Sequence, residues 1–212
     1  MTVLACQVRD AYGCRADEYA AVLGSVDVMA RQDHETIAEW ISTVDGPVID
    51  AGCGPGHWTK FLHDEGVAVS GVDLVPEFVH VARARFPEVT FHVADMNELP
   101  AETSSLGGLL SWYSLIHTAP DEVPSVLREF KRCLRPDGTL LLGFFDGDRV
   151  AAFDHAVTTA YFWPVPDLCR ALEGTGFHIV RTYRRTDPGS RPHAAIVAAA
   201  GHGSSRPARD RR

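Results

Sequence analysis

Short apolar runs and helix-spaced apolar positions alternate along most of the chain. Val48 and Ile49 begin a buried strand, and the apolar positions from Trp58 to Leu62 then follow a helical spacing. Further strands are predicted over residues 67–73, 86–96, 106–114 and 139–145, and helices over 57–65, 76–82, 121–134 and 164–175. This alternation predicts an α/β fold with a parallel sheet and helices on both of its faces.

The two ends of the chain follow other patterns. Residues 9–24 are expected to form a helix that carries Tyr12 and Tyr19 on one face, and residues 27–43 a second helix that ends before Gly46. These helices make the first 45 residues a cap within the domain. The two tyrosines are interpreted either as site residues or as packing residues.

The last third of the chain predicts a connection, a hairpin and a tail. Residues 146–163 have no strong regular pattern, and a connection of that length is often a functional lid, although a plain surface excursion is the alternative. Residues 177–185 and 194–200 pair well as an antiparallel hairpin. Residues 201–212 are rich in Gly, Ser, Pro and Arg and are expected to be a disordered tail.

A glycine-rich turn follows the first strand and precedes a helix. Its sequence, from Asp50 to Gly56, has the glycine spacing G-x-G-x-G, whereas a dinucleotide site requires G-x-G-x-x-G and this chain has His57 at that last position. The glycines permit a tight turn and a close approach of a ligand, and the helix start presents free N–H groups. A structural turn without a ligand is the alternative.

Three successive strands end in a carboxylate: Asp50, Asp73 and Asp95. In a parallel sheet these ends share the edge at which ligands bind. Asp73 follows Gly56 by 17 residues, and a carboxylate there can accept both hydroxyls of a ribose. Because SAM sites and NAD sites share this feature, it indicates adenosine binding without choosing between them.

The ordered motifs resemble those of the class I S-adenosylmethionine (SAM) dependent methyltransferases. The turn from Asp50 to Gly56 resembles the first family motif, and residues 86–96 resemble the third. Residues 134–138 resemble the family's L-x-P-G-G signature, with Asp137 where the first glycine usually stands. The resemblance covers roughly residues 10–200 and implies one domain, 1–200, with a Rossmann-like seven-stranded, mostly parallel sheet that ends in an antiparallel hairpin.

The same resemblance implies SAM as the cofactor and assigns residues to it. The glycine turn would wrap the methionine part, Asp50 would anchor its amino group, and Asp95 with Met96 would meet the adenine. The implied cofactor residues are Tyr19, Asp50, Gly52, Cys53, Gly54, Gly56, Asp73, Leu74, Asp95, Met96, Ser111 and Trp112.

Methyl transfer is an in-line displacement that depends largely on positioning, so few catalytic residues are expected. His117 closely follows the fourth strand and is the candidate general base, because histidine titrates near neutral pH. A structural or acceptor-lining role for His117 is the alternative. The candidate acceptor-binding residues are Tyr12, Tyr113, His117, His155 and Tyr161, and no metal site is expected.

Composition narrows the class of acceptor. The chain has 212 residues and a net charge of −8, which argues against a general affinity for nucleic acid or anionic membranes. Its five cysteines have no zinc-like spacing, and neither a signal peptide nor a run of 18 apolar residues is visible, so a cytoplasmic protein is expected. The fourth strand lacks the motifs of amino-nucleobase and cytosine-C5 methyltransferases. We therefore expect a small-molecule acceptor and a monomer or homodimer.

Two other functions are consistent with a nucleoside-binding α/β fold. One is a nicotinamide-dependent oxidoreductase, against which the glycine spacing and the Asp95-Met96 pair argue. The other is a SAM-binding module without catalysis, which the sequence leaves open because methyl transfer needs no conspicuous catalytic group. The methylated atom is also open.

Overall fold

A seven-stranded sheet forms the centre of the computed structural model, which describes residues 3–16, 18, 26, 29–187 and 189–201. Its strands are β1 (Val48–Ala51), β2 (Val69–Asp73), β3 (Thr90–Val93), β4 (Leu106–Trp112), β5 (Leu134–Phe145), β8 (Phe177–Arg185) and β9 (His193–Ala200). Their order across the sheet is β3-β2-β1-β4-β5-β9-β8. Strands β1 to β5 are parallel, and β9 is antiparallel to both β5 and β8. The predicted fold class is confirmed.

Helices connect the strands and cover the sheet. They are α1 (Val3–Gly13), α2 (Arg31–Ile41), α3 (His57–Asp64), α4 (Pro76–Arg85), α5 (Val123–Cys133) and α6 (Val165–Gly174), with one 3₁₀ turn at Leu115–His117. Proline stands in the first turn of α4, α5 and α6, where its missing N–H costs no helical hydrogen bond. In the part of the chain that the structure describes, no helix is long and apolar enough to cross a membrane.

The alternation of side chains along β5 explains why both faces of the sheet are covered. Leu140 and Leu142 belong to the core under α5 and α6, whereas Leu141 belongs to the core under α2 and α3. All three leucines are completely buried. Burying a leucine side chain contributes about 1.5–3 kcal/mol, so the two cores together fix the sheet whose edge carries the site.

The connection at 146–163 contains regular structure that its pattern did not predict. Strands β6 (Ala151–Asp154) and β7 (Thr159–Phe162) form an antiparallel hairpin. The rings of Phe153 and Phe162 stack on it, with centroids 4.1 Å apart and planes 29° apart. Strands of four residues are too short for alternation to show clearly in the sequence, so the pattern gave no sign of this hairpin.

The N-terminal helix begins earlier than predicted. Helix α1 spans Val3–Gly13, and Ala5, Val8 and Tyr12 lie on one face because their spacing follows the helical period. The second predicted helix is confirmed as α2, with shorter bounds. Tyr19 and residues 202–212, with most of the predicted tail, lie outside the described residues.

Candidate active site

One cavity of about 350 Å³ lies at the carboxyl ends of β1, β2 and β4. Ligand pockets commonly occupy about 300–1,000 Å³, and this edge is where open α/β sheets bind ligands. The glycine turn and the carboxyl ends of the strands form one boundary of the cavity. Its other boundaries come from α1, the 3₁₀ turn, the end of β5 and the β6–β7 hairpin.

The glycine turn leaves open space on the cavity side. Gly52 and Gly54 have φ angles of +81° and +53°, a backbone region that side chains disfavour. A Cβ atom on Gly52 would lie 2.1 Å from the Cβ of Ser114, so glycine is required there for packing. A Cβ on Gly54 would meet no atom within 4 Å. Gly54 therefore presents bare backbone to a ligand.

Asp73 ties the glycine turn to the end of β2. Its carboxylate accepts hydrogen bonds from the backbone N–H groups of Gly54 and Val75, each at 2.8 Å. Burial raises the pKa of Asp73 to about 6, although these hydrogen bonds oppose the rise. The carboxylate lines the cavity and is held in a fixed orientation.

Asp50 is the most buried carboxylate at the site, with 2% exposure. It accepts a hydrogen bond from the Thr59 hydroxyl at 2.7 Å, across the glycine turn. Burial, with a smaller contribution from the negative charge of Asp73, raises the pKa of Asp50 to about 7, although the hydrogen bond from Thr59 opposes the rise. A cationic ligand group beside Asp50 would compensate for the cost of burying its charge.

The end of β3 supplies a third acceptor. Asp95 accepts hydrogen bonds from the backbone N–H and the side-chain amide of Asn97, at 2.9 and 3.0 Å. Asp95, Met96 and Asn97 all line the cavity. We call Asp50, Asp73 and Asp95 the carboxylate side of the cavity. An ammonium group, a ribose and a purine amine are each suited to one of these acceptors, so the residues fit SAM.

His117 stands between the N-terminal helix and the β6–β7 hairpin. Its Nε2 lies 2.8 Å from the Tyr12 hydroxyl, and its Nδ1 lies 2.8 Å from the Thr159 carbonyl oxygen. Because a carbonyl only accepts, Nδ1 carries the proton and Nε2 accepts from Tyr12. Burial lowers the pKa of His117 to about 4. The imidazole is therefore neutral, and both of its nitrogens have partners.

Four half-buried rings form the boundary that we call the aromatic wall: Tyr113, Phe145, His155 and His193. The Phe145 ring centroid lies 5.1 Å from that of Tyr113, 5.3 Å from that of His193 and 6.1 Å from that of His155. The Tyr113 hydroxyl lies 2.5 Å from Nδ1 of His193. Tyr113 has a φ angle of +55°, which is strained for an aromatic residue and is typical of functional positions.

A second, smaller cavity of about 260 Å³ adjoins the first. Asp33, Trp112, Tyr113 and His193 line both cavities. Asp33 pairs with Arg185 at 3.3 Å, and both side chains are largely buried. This ion pair lies where the two cavities meet.

Most of the residues predicted for the site lie together. The cavity is lined by Tyr12, Asp50, Gly52, Cys53, Gly54, Asp73, Leu74, Asp95, Met96, Trp112, Tyr113, His117 and His155. Gly56, Ser111 and Tyr161 do not line it. Gly56 caps α3 and packs against Phe91, and Ser111 is buried with its hydroxyl 2.8 Å from that of Ser114. Ser114 lines the cavity in the place expected for Ser111.

Several lining residues were not predicted. They include Met29, Asp33, Ser114, Phe145 and His193. Phe145 and His193 reach the cavity as paired residues of β5 and β9. The hydrophobic pattern places Phe145 at the end of a strand, and that position was the one available signal for it. Among the described residues, no group of three or more His, Cys, Asp or Glu side chains is arranged to hold a metal ion.

Comparisons with known proteins agree with this geometry. Residues 48–138 match the methyltransferase domain family. An uncharacterized methyltransferase of Oceanobacillus iheyensis is 23% identical over 150 residues, which cover 71% of this chain and 70% of that protein. A malonyl-[acyl-carrier protein] O-methyltransferase of Serratia marcescens is 28% identical over 130 residues, 59% of this chain. That match spans only 50% of the Serratia protein's length.

Solved structures share the fold. The 1,6-didemethyltoxoflavin-N1-methyltransferase of Burkholderia thailandensis, with 1,6-didemethyltoxoflavin and S-adenosylhomocysteine bound, superimposes with a TM-score of 0.78. It is 23% identical in sequence, and the match covers 93% of this chain and 89% of that one. The motifs, the sheet order and the match over residues 48–138 all support the same assignment, a class I methyltransferase whose cofactor is SAM.

Proposed function

We propose that the protein transfers the methyl group of SAM to a small-molecule acceptor. The observation that carries this proposal is a single cavity with two chemically different boundaries. Carboxylates and bare glycine backbone form one boundary, and half-buried rings form the other. A cofactor and an acceptor bound in one cavity are close enough to react without leaving the protein.

The carboxylate side would hold the cofactor. Asp50 would face its ammonium group, Asp73 its ribose hydroxyls, and Asp95 the adenine amine, with Met96 against the ring. The buried carboxylates support this assignment. Burial disfavours the charged forms of Asp50 and Asp73 and so raises their pKa values, and a hydrogen-bonding or cationic ligand group would offset that cost. Tyr19 and Gly56 remain predicted cofactor residues from the resemblance alone.

Bound SAM would supply a methyl group activated by its sulfonium, with the neutral thioether S-adenosylhomocysteine as the leaving group. The chain's own contribution would be to orient the acceptor and to exclude water. Positioning alone can supply several kcal/mol of the barrier, about 7–11 in well-oriented intramolecular reactions. The methylated atom is left open.

His117 is better suited to positioning than to proton removal. Its Nδ1 is committed to the Thr159 carbonyl, and its Nε2 accepts from Tyr12. A base whose pKa lies near 4 removes a proton poorly at neutral pH. We therefore propose that His117 orients the Tyr12 hydroxyl, which borders the cavity and can contact the acceptor.

The net charge of the chain bears on the kind of acceptor, and its free cysteines bear on the cellular compartment. A net charge of −8 favours a small molecule over a nucleic acid. All five cysteines are free, and two of them, Cys53 and Cys133, are buried, which suits a reducing cytoplasm. The relative with bound 1,6-didemethyltoxoflavin also acts on a small molecule. We propose a cytoplasmic monomer or homodimer.

Calorimetric titration with SAM, S-adenosylhomocysteine (SAH) and NAD tests the proposal first. We expect SAM and SAH to bind and NAD not to bind. Release of SAH in the presence of an acceptor then identifies an enzyme. Binding of NAD alone would contradict the proposal, and tight SAM binding without turnover across a broad acceptor panel would indicate a binding module.

A further inference from the structure

The aromatic wall, where the acceptor is expected to bind, consists of four rings, and we find no unpaired charged side chain beside it among the described residues. Tyr113 and Phe145 present half-buried aromatic rings, and His155 and His193 add two imidazoles. Their centroids all lie within 6.1 Å of Phe145. Aromatic rings favour offset and edge-to-face contact with other rings. A flat ligand can therefore contact several of these side chains at once.

Positive charge is absent from the lining. None of the described residues that line the cavity is a lysine or an arginine. Arg185, which contributes to lowering the pKa of His193, is paired with Asp33 at 3.3 Å and with Asp187 at 3.2 Å. Arg191 lies over the Phe153 ring, 4.8 Å from its centroid. An anionic acceptor would thus be desolvated without a counter-charge, which is costly.

The histidines do not replace the missing cations. Burial lowers the pKa of His117, His155 and His193 below the ordinary histidine value. The hydroxyl of Tyr12 donates to His117, and the Tyr113 hydroxyl is bonded to His193. At neutral pH these imidazoles therefore carry no positive charge.

Negative charge on this side is already engaged. Asp33, which lines the cavity beside Tyr113, is paired with Arg185. Glu122 also lines the cavity and precedes α5, where the helix dipole favours a negative charge. The remaining lining carboxylates are those assigned to the cofactor. A cationic acceptor therefore finds no unpaired carboxylate at the aromatic wall.

We propose that the acceptor is an uncharged, flat aromatic or heteroaromatic molecule that lies against Tyr113, Phe145, His155 and His193. This inference rests on the proposed methyl transfer and names its substrate class. It excludes acceptors methylated on a free carboxylate. It also separates this chain from the Serratia relative, whose name gives a malonyl group as its acceptor.

Matched probes test the substrate class on the full chain saturated with SAH. We would titrate 2-naphthamide, 2-naphthoate, 2-naphthylmethylammonium and decahydronaphthalene-2-carboxamide, which share one size but differ in charge or flatness. The neutral flat probe should bind at least about tenfold more tightly than each of the other three. Equal or tighter binding of the anion, the cation or the saturated ring would overturn the proposal, and so would failure of 2-naphthamide to bind.

One pair of variants locates the binding. Phe145→Leu removes a ring of the aromatic wall, whereas Phe162→Leu makes the same change at a ring that does not line the cavity. Loss of one aromatic contact should weaken 2-naphthamide about three- to tenfold in Phe145→Leu. Phe162→Leu should bind it as the parent chain does. Equal affinity in both variants would contradict the assigned wall.

SAH binding separates the two proposals. A chain that fails to bind SAH contradicts the proposed function itself. If the chain binds SAH and also methylates an anionic acceptor, with SAH formed as the second product, only the inference on the acceptor class is contradicted. Both variants should keep the parent affinity for SAH, because neither residue belongs to the carboxylate side.

Discussion

The carboxylate side of the cavity draws on three strand ends between residues 50 and 95, whereas the aromatic wall draws on residues from 113 to 193. On the first side, backbone N–H groups and a threonine hydroxyl fix each carboxylate. On the second side, ring packing and a tyrosine–histidine hydrogen bond fix the rings. Charge is thus buried at some cost on the carboxylate side, whereas beside the aromatic wall Asp33 is paired with Arg185.

The comparison teaches how one fold can keep a cofactor and vary its acceptor. The carboxylate side depends on backbone geometry at the glycine turn, where a side chain on Gly52 would collide with Ser114. The aromatic wall depends on side chains that can change without altering the turn. Binding of the cofactor and selection of the acceptor are therefore separable by mutation.

The largest expected effect is loss of cofactor binding in Asp73→Ala. The change removes an acceptor of charge-assisted hydrogen bonds, each contributing about 1.5–3 kcal/mol. Two such bonds to a ribose correspond to at least about hundredfold weaker SAH binding. Calorimetry measures it. The matched control is Asp64→Ala, which removes an exposed carboxylate paired with Lys60 on α3 and should leave SAH affinity unchanged.

Circular dichroism must show that Asp73→Ala is folded, since Gly54 and Val75 lose a hydrogen-bond acceptor. A folded variant with the parent affinity for SAH would contradict the assignment of the carboxylate side as the cofactor's binding site. Loss of binding in Asp64→Ala as well would indicate a general effect on α3.

A smaller effect is expected from pH, through Asp50. Burial raises the pKa of this carboxyl to about 7, so the group is mostly neutral at pH 6 and mostly ionised at pH 8. An ammonium ligand needs the ionised form. SAM affinity should therefore fall roughly tenfold from pH 8 to pH 6, in proportion to the ionised fraction. Calorimetry at a series of pH values tests this.

Methylthioadenosine is the matched ligand for that series, because it keeps the nucleoside and lacks the ammonium group. Its affinity should change less between pH 8 and pH 7, and it should fall mainly near pH 6, where Asp73 titrates. The substitution Asp50→Asn should flatten the SAM profile above pH 7. A SAM profile identical to that of methylthioadenosine would show that Asp50 does not meet the ammonium group.

The smallest effect is expected in Tyr12→Phe, with Tyr161→Phe as its control. Loss of the Tyr12 hydroxyl leaves Nε2 of buried His117 without its donor, which should lower the free energy of unfolding by about 1 kcal/mol. Tyr161 does not line the cavity, and its substitution should change stability by less than about 0.5 kcal/mol. Urea titration measures both changes.

SAH affinity should stay within about twofold of the parent value in both tyrosine variants, while turnover should fall only in Tyr12→Phe. A fall in turnover in Tyr161→Phe equal to that in Tyr12→Phe would contradict the cavity boundary described above. It would restore Tyr161 as an acceptor residue.

Sequence reasoning could predict which residues lie together at the cavity where they belong to one local stretch of chain. Asp50, Gly52 and Gly54 lie within five residues, so their spacing alone places them at one turn. Asp73 and Asp95 follow because parallel strands end at a common edge. The seven-stranded, mostly parallel sheet with its antiparallel hairpin could be predicted from the resemblance, because that resemblance covers the consecutive strand–helix units.

Two members of the aromatic wall, Phe145 and His193, could not be predicted because their position depends on pairing between distant strands. Phe145 lies beside His193 only because β5 and β9 pair in that register. Tyr113 and His155 were predicted as acceptor residues, but the positive φ angle of Tyr113 was not. Ser114 was missed because it was taken as the last residue of the predicted strand, whereas β4 ends at Trp112 and Ser114 lies in the connection that follows it.

The hydrogen bond between Tyr12 and His117 has a practical consequence for anyone producing the protein. It joins α1 to the 3₁₀ turn, and Arg15 adds a second tie by donating to the Ala156 carbonyl on the hairpin at 2.7 Å. Ala5 and Val8, within the first two turns of α1, line the cavity. A purification tag fused directly before α1 would adjoin the acceptor's surroundings, so complete removal of such a tag is the sound choice for binding assays.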